Sequence, residues 1–150
     1  RSAGLDWYYC CEPVGPEHTP EEIVEQIFIG VDGGCFQHAA MRRVYSPASP
    51  LARYGQISER RLAQVVAVVA LASLNCPQTR SIAVHEPNLL GLAAGANSVY
   101  AETGSNPRDL QADTSGHRGV DVAACRRMSY EAGFEHVLRG DGGRAALSYL

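Results

Sequence analysis

Four times in succession the chain passes from a short apolar run to a helical one, and this alternation restricts the fold more than any other feature. Leu5–Cys11 reads as a strand rich in aromatics. Thr19-Pro20-Glu21-Glu22 follows with a complete helix start: Thr as N-cap, Pro at the first turn and Glu three residues after the cap. Ile23, Val24, Ile27 and Phe28 then mark one helical face, which Gly30 or Gly33-Gly34 should stop. Cys35–Val44 is a second strand. Ser58 caps a second helix, whose Leu62, Val65, Val66 and Val69 fall at i, i+3, i+4 and i+7. Arg80–His85, Leu89–Ala94 and Asn97–Ala101 give strand, short helix and strand. A polar loop from Glu102 to Gly119 leads to a helix over Val120–Ala132. Residues 1–134 are expected to form one structural unit, and 135–150 a loose tail or short terminal cap.

Repeated strand–helix units imply parallel strands joined by helical crossovers. An open doubly wound sheet would satisfy this, as would part of a (β/α)8 barrel. A complete barrel needs roughly 250 residues, so 150 residues correspond to a (β/α)4 half-barrel. The first strand leads into "EPVGPEHT", which holds one glycine and no dinucleotide-binding fingerprint. The two rims of the sheet differ in character. The segments after the strands, "CEPVGPEHT", "MRRVYSPASPLARYG", "HEPN" and "ETGSNPRDLQADTSGHRG", are polar and rich in Gly, Pro, Asn, His, Glu and Arg, whereas "GVDGG", "NCPQTR" and "AGAN" on the opposite rim are short and plain. Parallel α/β folds place their chemistry at the carboxyl ends of the strands, so this asymmetry favours the barrel reading and marks one active rim.

Composition narrows the chemistry. The net charge of −3 favours neither nucleic acid nor an anionic membrane as a partner. All 13 basic residues are arginine, which excludes a lysine Schiff base within these residues. The longest apolar run, Val65–Leu74, is broken by Ser73 and is too short to span a bilayer. Five cysteines without C-x-x-C spacing fit a reducing compartment rather than a disulfide scaffold, and a polar start without a signal peptide adds to a cytoplasmic expectation.

The stretches "GLAAGANSVYAETGSNPRD", "SPLA" and "PVGPEHT" carry a resemblance. Together they resemble the C-terminal half of the biotin synthase-like radical S-adenosylmethionine enzymes, through Ser49-Pro50-Leu51, Ala94–Ser98, and Gly15 with Thr19. The resemblance runs from about Leu5 to Phe134. It implies that the chain supplies strands five to eight of a radical SAM barrel. It also implies S-adenosylmethionine bound to a 4Fe-4S iron-sulfur cluster, and hydrogen-atom abstraction from a small polar organic substrate in cofactor or amino-acid biosynthesis. The C-x3-C-x2-C motif that holds such a cluster is absent from this sequence, so the cluster ligands are expected outside it. Tyr9 stands where true biotin synthases have a second-cluster cysteine, and "IAVHEPN" lacks the matching arginine. Relatives without a second cluster, such as methylornithine synthase or the hydrogenase-cofactor maturation enzymes, are the nearer analogy.

Under this resemblance Glu12, Gly15 and His18 are the cofactor-binding candidates. His38, Arg42, Arg43 and Glu102 are candidates for the substrate, the arginines through bidentate grip of a carboxylate. His85 and Glu86 are the catalytic candidates, and no resident metal ligands are expected here. Neighbouring strand residues alternate, so one of His85 and Glu86 is expected to face the cavity and the other to brace a loop. Two other readings stay open. A metal-dependent barrel hydrolase or lyase would draw on His18, His38, His85, Glu12 and Glu86, although no H-x-H pair occurs. A non-catalytic half-barrel assembly module would use its free strand edges. The expected partners are a small-molecule substrate and either the missing N-terminal half-barrel or a second copy of the chain.

Overall fold

A computed structural model describes residues 3–86, 88–101, 120–139 and 141–149. Its elements run β1 (Tyr8–Val14), α1 (Pro20–Gly33), β2 (Gln37–Arg42), α2 (Glu59–Ala72), β3 (Ser81–Val84), α3 (Leu89–Ala93), β4 (Ser98–Val99), α4 (Val122–Glu131), β5 (His136–Leu138) and β6 (Arg144–Ala146). The first four strands form one parallel sheet in the order β1-β2-β3-β4. The protein is therefore α/β with sequential parallel strands, as the alternation predicts.

Local chemistry sets the helix ends. Thr19 accepts from the Glu22 amide while the Glu22 carboxylate accepts from the Thr19 amide at 2.8 Å, closing the capping box. Gly34 ends α1 in the left-handed region at φ 60, a conformation that costs glycine least. Ser58 caps α2, Asn88 caps α3 and Asp121 caps α4, each accepting an amide two or three residues into its helix.

Two elements differ from the sequence expectation. Strand β1 begins and ends three residues later than Leu5–Cys11, passing through a cis Glu12–Pro13 bond. Proline is tolerated there because β1 is an edge strand and its register shifts between Cys11 and Val14, so no ladder donor is lost. The tail is also more ordered than expected. β5 and β6 pair as an antiparallel hairpin, turned by Asp141, whose side chain accepts from the Gly143 amide at 2.8 Å.

One core holds the layers together. Cys11, Ala40 and Val84 are register partners and so share a face of the sheet. They pack with Ile23 and Ile27 of α1, Leu62, Val65, Val66 and Val69 of α2, and Leu92 of α3. Met128 of α4 and Phe134 join the margin of this cluster. Each fully buried aliphatic chain contributes roughly 1.5–3 kcal/mol on leaving water. Right-handed crossovers taken always in one direction along a sheet put every helix on one side. A doubly wound sheet, by contrast, reverses direction and covers both faces. No described helix is long and apolar enough to cross a membrane.

Candidate functional site

The face opposite the helices is built in rows. Tyr8, Gln37 and Ser81 are in register at its amino-terminal end, and Cys10, Ala39, Ala83 and Ser98 form the row above. Alternation then places Glu12, Met41, His85 and Tyr100 toward the carboxyl ends. The middle row is made of small side chains. Tyr100 reaches from the end of β4 across β3: its ring stacks on His85 with centroids 4.4 Å apart, and its hydroxyl donates to Gln37 Oε1 at 2.5 Å. The Gln37 amide in turn donates to the hydroxyls of Ser81 at 2.9 Å and Ser98 at 3.3 Å. Three strands are thus tied together by one polar network above a floor of Ala39 and Ala83, both fully buried.

His85 and Glu86 part company here. His85 lies on this face with Tyr100, while Glu86 takes both Nε and Nη2 of Arg42 in a bidentate pair. Arg42 Nη1 also donates to the Ile57 carbonyl at 2.9 Å, and Glu59 lies 3.7 Å from the guanidinium. The guanidinium is held charged above its ordinary range, chiefly by the Glu86 hydrogen bonds. Arg43 points the other way. It grips Glu17 through both Nη atoms and donates to the Gly55 carbonyl at 3.2 Å. That pairing pulls the Glu17 carboxyl down to about 2. The two arginines expected to grip substrate are therefore engaged by the protein's own carboxylates. Together they staple the β1–α1, β2–α2 and β3–α3 loops, which gives the rim a fixed shape.

His38 also departs from its expected role. It is fully buried on the helix side, edge-on to Tyr9 at 5.7 Å and against the backbone of Gly30. Among the described residues neither ring nitrogen has a hydrogen-bond partner. Burial without a partner holds its pKa down at about 4. The nitrogen and oxygen set that a hydrolase would need is thus split between the two faces of the sheet. Among the described residues no three His, Cys, Asp or Glu side chains come together as a metal site.

Glu12 and His18 lie together. Both line a cleft of about 250 Å³ between the free edge of β1 and the start of α1, with Pro13, Glu22, Glu25 and Gln26. His18 Nδ1 accepts from the Gly15 amide at 2.9 Å, so the neutral ring carries its proton on Nε2 and offers a donor. Gly15 is placed for packing: a side chain there would strike the Arg43–Glu17 pair. Cys10 sits beside Glu12 on the open face, its thiol pushed up first by burial and then by that carboxylate, which keeps it protonated. Glu102 lies outside the described residues.

Gln37, Tyr100 and Ser81 were not among the candidates, and their signal was faint. The period-2 pairs Gln37/Ala39 and Ser98/Tyr100 mark them as one face, but the hydrogen bonds joining them span 44 to 63 residues. The architecture and this rim define a one-sided parallel α/β sheet with a polar carboxyl edge. No family model, curated protein or solved structure matches the chain.

Proposed function

We propose that the chain forms strands five to eight of a radical S-adenosylmethionine enzyme of the biotin synthase-like group, acting on a small polar organic substrate. The observation that supports it most is the layout of the sheet: parallel strands in sequential order, helices on one face, and small and polar side chains in rows on the other. Barrel interiors are lined by such rows, and barrel chemistry lies at the carboxyl rim, where His85, Tyr100 and Glu12 stand.

The donor set decides what this chain can hold. In this reading the cysteines that would hold a 4Fe-4S cluster lie in the complementary half-barrel, since the C-x3-C-x2-C motif does not occur in this sequence. Glu12 and the Nε2–H of His18 fit the hydroxyl and amine groups of S-adenosylmethionine, at the cleft they share. When bound to its cluster, that cofactor supplies the hydrogen-abstracting species. The contribution of this chain is positioning: the open face shapes the cavity, the arginine staples hold the rim, and His85 orients a polar substrate group.

Reconstitution tests the reading. The chain is co-expressed with a cluster-bearing N-terminal half-barrel, loaded anaerobically, and assayed for iron, labile sulfide and cleavage of S-adenosylmethionine. Cofactor cleavage that is retained in His85→Ala but uncoupled from substrate turnover is the expected result. A complex that takes up zinc or manganese and never cleaves the cofactor rejects it in favour of a metal-dependent hydrolase or lyase.

A further inference from the structure

Strand β1 has seven residues and one neighbour. Among the described residues no strand lies on its other side. The Trp7 carbonyl accepts from the Phe36 amide at 2.8 Å, so that residue turns its backbone toward β2. In a parallel ladder alternate residues turn their backbone groups to opposite sides, which leaves those of Tyr8, Cys10 and Glu12 aimed at the free edge. Unpaired edge groups of this kind are a template for another strand.

The flank beside that edge has a definite chemistry. The cleft is lined by three carboxylates, Glu12, Glu22 and Glu25, and by His18, with no arginine among its walls. Glu22, Gln26 and Ile29 follow one another at i, i+4 and i+7 along the same flank of α1, and Ile29 is 49% exposed. A second copy of the chain suits this edge poorly. A two-fold pairing of β1 with β1 would be antiparallel, against the parallel order of this sheet, and would join two equally acidic flanks. A head-to-tail pairing would offer only the two-residue β4 as the new strand.

We infer that the free edge of β1 is the docking site for a parallel strand from a non-identical polypeptide, one that places an arginine or lysine against Glu22 and Glu25 on the α1 wall of the cleft. This rests on the half-barrel reading and specifies the chemistry of its complement. The added strand continues the sheet through the backbone groups of Tyr8, Cys10 and Glu12. Its helix-side basic residue meets Glu22 and Glu25, and an apolar residue following it covers Ile29.

The test uses the isotope-labelled full chain and two ten-residue peptides of alternating Val and Thr. One peptide carries a single Arg on the face turned toward the cleft, and the other carries Glu at that position. The Arg peptide is expected to shift the amide signals of Tyr8–Val14 and the first turn of α1. It should bind about tenfold more tightly than the Glu peptide, because an exposed ion pair is replaced by repulsion. A spin label on its N-terminus should broaden Tyr8 rather than Val14, as a parallel strand requires. Glu22→Gln with Glu25→Gln should remove the preference. Equal binding of both peptides, binding of neither, shifts away from β1, or a concentration-dependent dimer through β1 would each overturn the proposal. No cluster or S-adenosylmethionine is present in this assay, so its failure is distinct from failure of the radical reading.

Discussion

Replacing His38 by Leu should make the protein more stable and remove a large part of its sensitivity to mild acid. The imidazole is fully buried between β2 and α1, and both ring nitrogens lack partners among the described residues. A buried orphan polar group costs roughly 1–3 kcal/mol, so an apolar side chain of similar volume should gain about 1 kcal/mol at neutral pH. Acid magnifies the effect. The folded-state pKa is about 4 against 6.5 for the free side chain. The unfolded chain therefore takes up a proton that the folded protein refuses, and stability falls as pH drops from about 6.5 to about 4, then levels off. At 1.36 kcal/mol per pH unit, the loss between pH 7.5 and pH 4.5 is about 2.5 kcal/mol. Urea unfolding followed by far-ultraviolet circular dichroism at these two pH values, in wild type and His38→Leu, isolates the contribution by difference. The same pH dependence in both proteins would refute the reasoning, because His38 would then be titrating freely in the folded state.

Other consequences follow from the rim. Arg42→Met alone should cost about 3 kcal/mol by leaving Glu86 half-buried and unpaired, whereas Arg42→Met with Glu86→Leu should recover most of it; chemical denaturation of the full mutant cycle reads the coupling. Glu17→Gln should leave stability at pH 2 little changed but lower it above the ordinary carboxylate range. The Glu17 contribution is present above about 4.5 and lost as pH falls toward about 2, so the acid limb of a pH titration is where the variant and wild type converge. Cys10 should react slowly with a thiol reagent at pH 8, because burial and Glu12 keep it protonated. Glu12→Gln should speed that reaction, and an unchanged rate would show that the carboxylate has no hold on the thiol.

The local elements and their repetition follow from side-chain chemistry along the chain. Thr19, Ser58 and Asn88 announce helix starts through side chains that reach amides only three residues away, and Leu62, Val65, Val66 and Val69 declare a buried face by spacing alone. Alternating units then leave little besides a parallel sheet. Which member of each adjacent polar pair turns where is set by how the strands and loops come together in space. Arg42 and Glu86 are 44 residues apart and Arg43 and Glu17 are 26 apart, so their bonds depend on strand register and loop approach, not on local spacing. The face of His38 was equally hidden, because a central parallel strand is buried on both sides and its alternation does not separate inside from outside. Strand β1 ran on through Pro13 for a similar reason: a proline is harmless on an edge, and a strand becomes an edge only when the sheet has been assembled.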